Sequence, residues 1–183
     1  MPLTQLDTNA ALIVIDLQKG IVGMTTTPAA NEVLGRAAEL ARAFRKRGLT
    51  VVLVNVTGLA LGRTDAGMRK LSFPPDWTEL VPELEEQVGD VLISKQRRGA
   101  FLGTGLDEIL RERGVTQVFL AGISTSAGVE STARSADDFG YNVVFVTDAM
   151  GDSDAEVHRF CLEKIFPKLG ETETTVNVLS KLA

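Results

Sequence analysis

The chain has 183 residues, of which 44% are hydrophobic and 23% charged, and this balance is typical of a globular protein rather than a disordered one. The formal charge of -5, without a basic cluster, argues against a nucleic-acid-binding protein. No apolar segment is long enough to cross a membrane, the first residues lack a signal-peptide pattern, and the single cysteine suits a cytoplasmic protein.

Three buried strands are predicted in the first half of the chain. They are residues 10–16, 50–55 and 91–95. The first is apolar without alternation, as expected of a strand covered on both faces of a parallel sheet. A helix with one apolar face is predicted between the first two strands, from Thr27-Pro28 to Gly48.

The segment between the second and third strands is irregular over residues 57–76. A loop of this length is typical of a binding loop or of a surface insertion, and the composition does not separate the two. A short helix is predicted over residues 77–87.

In the second half of the chain, helices and strands continue to alternate. A helix opened by a Thr104–Asp107 capping box is predicted to end at Gly114, and a helix opened by Ser153 and Glu156 is predicted to end at Pro167. The remaining predictions are strands at 118–121, 141–148 and 174–179, and a helix from Val129. This alternation favours one α/β domain over residues 1–183, with an open parallel sheet between two layers of helices.

Charged and small polar residues follow three predicted strands at the point where each strand ends. Asp16 ends the first strand, Lys95 ends the third, and the turn at residues 122–128 follows the fourth. Ligands of open parallel sheets bind at this carboxyl edge. Each feature also has a simpler reading as a loop carboxylate, a solvated strand end or an ordinary turn. Their coincidence at one edge favours a functional site. Asp148 reaches the same edge but is interpreted as the start of a turn or a helix cap.

Four ordered motifs carry a resemblance to a known family. ALIVIDLQ (11–18), SKQRRGAF (94–101), GISTSAGVESTAR (122–134) and GYNVVFVTDA (140–149) resemble the isochorismatase-like hydrolases of the cysteine hydrolase superfamily. The resemblance implies a Rossmann-like, three-layer α/β/α fold with a six-stranded parallel sheet. It also implies a cis peptide at Ile123-Ser124, a small-molecule substrate, no cofactor, and a homo-oligomer such as a dimer or tetramer.

The resemblance also implies a catalytic group. In the amidases of this family an Asp, a Lys and a Cys act together, and their positions correspond to Asp16, Lys95 and residue 128. Residue 128 is Gly here, and residue 126 is Ser where an Asp is usual. The chain therefore resembles the subgroup that lacks the nucleophilic cysteine.

Several further residues are expected near a substrate. By resemblance these are Gln18, Phe101, Ile123, Ser124 and Thr125, with Arg63 and Arg97 as candidates for specificity. No metal site is expected, because the long loop lacks paired histidines and the chain has one histidine and one cysteine. Cys161 lies on the apolar stripe of a predicted helix and is interpreted as a buried structural thiol.

Without a thiol, two functions remain open. In the first, Asp16 is the general acid that protonates a vinyl ether such as that of isochorismate, and Lys95 anchors a substrate carboxylate. A neighbouring Lys lowers the pKa of an Asp, so this hypothesis expects the bound substrate to restore the proton. In the second, the chain is a non-catalytic relative that binds a ligand. A nucleotide-binding domain is disfavoured, since no turn reads G-x-G-x-x-G.

Overall fold

Six strands form one parallel sheet in this computed structural model, which describes residues 3–60, 62–65 and 73–183. They are β1 (Ala10–Ile15), β2 (Thr50–Val56), β3 (Val91–Lys95), β4 (Gln117–Ile123), β5 (Asn142–Gly151) and β6 (Glu171–Glu173). Their order across the sheet is β3-β2-β1-β4-β5-β6, so β1 lies between β2 and β4. The predicted six-stranded parallel sheet is confirmed.

The α-helices connect these strands on both sides of the sheet. They are α1 (Lys19–Val22), α2 (Ala30–Lys46), α3 (Leu106–Glu112), α4 (Glu130–Asp138), α5 (Ala155–Phe160) and α6 (Thr175–Leu182). A π-helical turn, Thr125–Val129, leads into α4, and a second one, Cys161–Ile165, continues α5. Within the described residues, no helix has the length and hydropathy that a membrane span requires.

The two faces of the sheet have separate hydrophobic cores. Leu12 and Val14 of β1 lie in the core that α2 and α6 cover, whereas Ile13 and Ile15 lie in the core under α3, α4 and the π-helical turn Cys161–Ile165. Since successive side chains of a strand point to opposite faces, a strand covered on both sides is apolar at every position. This explains the continuous apolar sequence of β1.

The prediction of a helix over residues 77–87 is wrong. Residues 75–78 form turns, and only Pro82–Leu84 makes a short 3₁₀ turn. Tertiary contacts hold this segment against the chain that follows β1. The Trp77 ring lies directly on the backbone of Gly20, where an added Cβ would be 2.0 Å from the ring, and Leu80 pairs with Gln18. Part of the predicted loop at 57–76, namely residues 61 and 66–72, lies outside the described residues.

The prediction of a strand over residues 174–179 is also wrong. The last strand is Glu171–Glu173, and the chain then forms α6. As a helix, this segment places Val178 and Leu182, four residues apart, in the core beside α2. The helical packing therefore overrides the β-propensity of its Thr and Val residues.

Predicted helix starts are displaced by one or two residues. The cap of α5 is Asp154 rather than the Ser153–Glu156 box, because the Asp154 carboxylate accepts hydrogen bonds from the N–H groups of Glu156 and Val157. The cap of α3 is Gly105 rather than Thr104.

The start of α2 is displaced as well. This helix begins at Ala30 rather than at Pro28. The preceding Thr27 pairs with Asp152, in the segment that follows β5.

Candidate active site

The carboxyl end of β1 presents Asp16 in an unusual backbone conformation. Its φ is +54°, in the left-handed region that a non-glycine residue seldom adopts. The Asp16 N–H donates to the carbonyl of Val54 in β2, which fixes the backbone at this point. Strained residues of this kind concentrate at functional sites.

Asp16 forms a buried ion pair with Lys95. The Lys95 Nζ donates to Asp16 Oδ2 at 2.7 Å, and the side chains are only 2% and 8% exposed for Lys95 and Asp16 respectively. Lys95 reaches over β2 from the end of β3, and its Nζ also donates to the main-chain carbonyl of Arg97 at 3.2 Å. The other carboxylate oxygen, Asp16 Oδ1, is buried and has no hydrogen-bond partner among the described residues. An unpartnered buried carboxylate oxygen is costly in a folded protein, and it is the atom on which a proton is favoured.

Burial raises the pKa of Asp16 to about 6, although the charge of Lys95 and its hydrogen bond lower it. From the sequence, Lys95 was expected to lower this pKa and a bound substrate to restore the proton. The burial of the carboxyl outweighs Lys95 because it removes water from the charged form. The free protein therefore already holds this carboxyl at a pKa suitable for proton transfer near neutral pH.

Gly128 lies against this pair in the π-helical turn before α4. A Cβ atom added at residue 128 would be 2.8 Å from Ile15 Cγ2 and 3.2 Å from Asp16 Oδ2. The structure thus brings the three predicted catalytic positions, Asp16, Lys95 and Gly128, together. The space that a side chain at residue 128 would need is taken by β1.

Two residues that the sequence analysis did not select hold the turn. Asp152, buried just after β5, accepts hydrogen bonds at Oδ2 from the Ser126 N–H (2.8 Å) and the Ser126 hydroxyl (2.7 Å). His158 of α5 shares a buried 2.8 Å hydrogen bond between its Nδ1 and the Thr125 hydroxyl, and burial lowers its pKa. The signal for Asp152 was an acid directly after a buried strand. No sequence pattern paired His158 with Thr125.

A hydrogen-bonded chain joins the turn to the segment after Lys95. The Ala100 N–H donates to the Thr132 hydroxyl (3.1 Å), which donates to the Gly128 carbonyl (2.7 Å). Thr132 is fully buried. The segment carrying Lys95 and the turn carrying Gly128 therefore form one connected site.

Comparisons with known proteins identify this architecture. The model of the isochorismatase domain matches residues 10–176, which is most of the chain. The chain belongs to the isochorismatase family.

Relatives of the isochorismatase family match nearly the whole chain. The chain is 41% identical over 179 residues to the isochorismatase family protein YwoC of Bacillus subtilis, covering 94% of this chain and 93% of that protein. It is 30% identical over 187 residues to maleamate amidohydrolase of Pseudomonas putida, covering 94% and 86%. A solved isochorismatase family structure from Burkholderia thailandensis is 40% identical, with a TM-score of 0.93 and 97% of both chains covered. The chain is therefore an isochorismatase-family hydrolase.

Two residues that the family resemblance assigned to substrate binding are engaged by the protein itself. Gln18 is fully buried, and its amide bonds the main chain at Val56 N, Val56 O and Trp77 O. Phe101 is a core residue whose ring packs on Phe139 and Tyr141. The structure therefore gives Gln18 and Phe101 positions in the framework of the site.

The other expected residues lie on the turn itself. The peptide bond between Ile123 and Ser124 is cis, as the family resemblance implied. Ile123 and Thr125 are buried, and Ser124 is half-buried. Asp148, the further acid at this edge, accepts from the N–H and hydroxyl of Thr175 at the start of α6.

Cys161 does not replace the family thiol. It is buried, its Sγ donates to Glu130 Oε2 at 3.4 Å, and burial raises its pKa to about 12. A thiol with so high a pKa is protonated at neutral pH and is a poor nucleophile. Among the described residues, no group of three or more metal-binding side chains is found.

Proposed function

We propose that this isochorismatase-family protein hydrolyses a small carboxylated vinyl ether of the isochorismate type without a covalent intermediate. In this proposal Asp16 is the general acid, and the chain belongs to the subgroup with glycine in place of the nucleophilic cysteine. The observation that carries the proposal is the Asp16 carboxyl itself. It is buried and has a pKa of about 6, and its Oδ1 has no partner in the part of the chain that the structure describes. It lies beside residue 128, which has no side chain.

The proposed reaction begins with proton transfer to carbon. Asp16 gives its proton to the methylene carbon of the enol-pyruvyl group, and the electron pair of the double bond forms the new C–H bond. The resulting oxocarbenium ion is captured by water, which loses a proton. The hemiketal then collapses to pyruvate and an alcohol, so one water is consumed for each ether bond broken. At pH 7 a carboxyl of pKa about 6 is roughly one-tenth protonated, which sustains a general acid.

Lys95 stabilises the charge that this step creates. When Asp16 loses its proton, the carboxylate formed lies 2.7 Å from the Lys95 ammonium. A preorganised charge in a buried site stabilises developing charge more than water does. Lys95 also supplies a positive charge for a substrate carboxylate.

A second candidate is the hydrolysis of an amide of a small acid. It is favoured by the 30% identity with maleamate amidohydrolase. Without a nucleophile at residue 128, ionised Asp16 would act as a general base on water. The two candidates differ in the direction of their pH dependence. If Asp16 acts as an acid, kcat/KM falls as pH rises through about 6. If Asp16 acts as a base, kcat/KM falls as pH drops through the same value.

Pyruvate release from isochorismate tests the proposal, with ammonia release from maleamate measured in parallel. We expect pyruvate release that Asp16→Asn lowers by about 10²-fold or more. Asp138→Asn, the same chemical change at an exposed position of α4, should leave the rate unchanged. Ammonia release alone would favour the second candidate. If neither pyruvate nor ammonia is released, both candidates are contradicted and a ligand-binding role is favoured.

A further inference from the structure

A cavity lies at the carboxyl end of β3, lined by residues close in sequence to Lys95. Its volume is about 330 Å³, within the range of small-molecule sites. It is lined by Thr57, Ser94, Gln96, Arg97, Leu102 and Gly103. Ser94 and Gln96 flank Lys95 in sequence and are exposed where Lys95 is buried, because neighbouring side chains of a strand point to opposite faces. The cavity therefore opens at the carboxyl edge of the sheet but is separate from the buried pair.

Among the described residues that line the cavity, Arg97 is the one that carries a charge. Its guanidinium donates one hydrogen bond, from Nη1 to the Gln96 carbonyl at 2.9 Å. Within the described residues no carboxylate lies at ion-pair distance from Arg97, whereas Arg36, Arg45 and Arg134 each pair with an acid. The planar guanidinium fork is suited to a carboxylate, and here it remains available.

The rest of the lining is neutral and partly apolar. The Ser94 hydroxyl donates a hydrogen bond to Asn55 Oδ1 at 2.7 Å, and the Thr57 hydroxyl donates one to the Lys95 carbonyl at 3.4 Å. Leu102 is 70% exposed, which leaves its side chain available for contact with a short apolar group. We propose that this cavity binds a small organic monocarboxylate, with the carboxylate on Arg97 and the hydrocarbon part against Leu102.

An occupant of this cavity would lie next to the catalytic pair without touching it. Lys95 Nζ donates to the main-chain carbonyl of Arg97, and Arg97 also lines the cavity. A substitution of the Arg97 side chain therefore keeps the contact with Lys95. The binding site does not depend on the proposed function of Asp16.

Titration with isobutyrate, followed by the amide signals of a ¹H–¹⁵N NMR spectrum, tests the proposal. The matched variants are Arg97→Gln and Arg98→Gln, which make the same change at adjacent exposed residues of which only Arg97 lines the cavity. Isobutyramide, which has the same shape without the charge, is the matched ligand.

We expect isobutyrate to shift the amides of the lining residues in a saturable way. Arg97→Gln should raise the dissociation constant at least about tenfold, Arg98→Gln less than about twofold, and isobutyramide should bind at least about tenfold more weakly. Equal effects of the two arginine variants, or no saturable shift at these amides, would overturn the proposal. Shifts confined to residues 122–128 and lost in Asp16→Asn would also overturn it, while supporting a ligand site at Asp16.

Discussion

Two buried carboxylates contact the same turn, and they are satisfied in different ways. Asp152 has both oxygens engaged, Oδ2 by the N–H and hydroxyl of Ser126 and Oδ1 by the N–H of Asp154. Asp16 has one oxygen bonded to Lys95, and the other has no partner within residues 3–60, 62–65 and 73–183. Hydrogen bonds to the charged form stabilise a carboxylate, whereas burial without them favours the protonated acid. For Asp16 burial outweighs the effect of Lys95 and raises the pKa of the carboxyl to about 6.

The largest expected effect follows from removing Lys95. In Lys95→Met the Asp16 pKa rises further, because Lys95 lowers it in the native protein. A carboxyl whose folded pKa exceeds its unfolded value destabilises the fold increasingly as pH rises from about 4 to the folded pKa. We expect a loss of roughly 3–5 kcal/mol in the free energy of unfolding at pH 8 and a much smaller loss at pH 5. Urea denaturation at both pH values measures it.

Lys164→Met is the control for this prediction, since Lys164 is exposed on the segment that continues α5. It should change the free energy of unfolding by less than about 0.5 kcal/mol. An equal loss at pH 5 and pH 8 in Lys95→Met would mean that Asp16 does not take up a proton when its partner is removed.

The next effect follows from disturbing the satisfied acid. In Asp152→Asn the amide presents an N–H₂ group to at least one of the donors that the carboxylate now accepts from Ser126 and Asp154. We expect a loss of roughly 2–3 kcal/mol in the free energy of unfolding, measured by urea denaturation at pH 7. Asp138→Asn is the control.

In Asp152→Asn the pKa of Asp16 should stay within about half a unit of its native value. A shift above one unit would mean that Asp16 and Asp152 are coupled.

A smaller effect is expected at the side-chain-free position next to Asp16. The Cβ atom of Gly128→Ala meets Ile15 and Asp16, and we expect a loss of about 1–3 kcal/mol in the free energy of unfolding from this overpacking. Gly35→Ala, on an exposed part of α2 with nothing within 4 Å, should instead stabilise the protein by roughly 0.5–1 kcal/mol. Thermal unfolding of both variants decides the point. A neutral Gly128→Ala would show that the turn has room for a side chain.

Part of this site was predictable because it follows from the ends of strands. Continuous apolar runs identified β1 and β4, whereas β3 alternates between buried and exposed positions. The parallel sheet brings the residues at the ends of these three strands to one edge. Asp16, Lys95 and Gly128 could be grouped on that basis. The segment at 174–179 could not be assigned in this way, since its Thr and Val residues favour a strand and only packing against α2 makes it a helix.

The direction of the Asp16 pKa could not be predicted from sequence either. The sequence shows that a Lys is present but not how completely the two side chains are buried, and the burial determines the sign. The pairing of Ser126 with Asp152 likewise depends on the position of β5 beside β4. Such contacts between distant residues have no local pattern.

The most direct test is an NMR titration of the Asp16 carboxyl in ¹³C-aspartate-labelled protein, with its signal assigned by comparison with Asp16→Asn. We expect a midpoint at about pH 6, because burial of the carboxyl outweighs the effect of Lys95. A midpoint at or below the ordinary value of 3.8 would mean that Asp16 is ionised throughout the neutral range and would contradict its role as a proton donor.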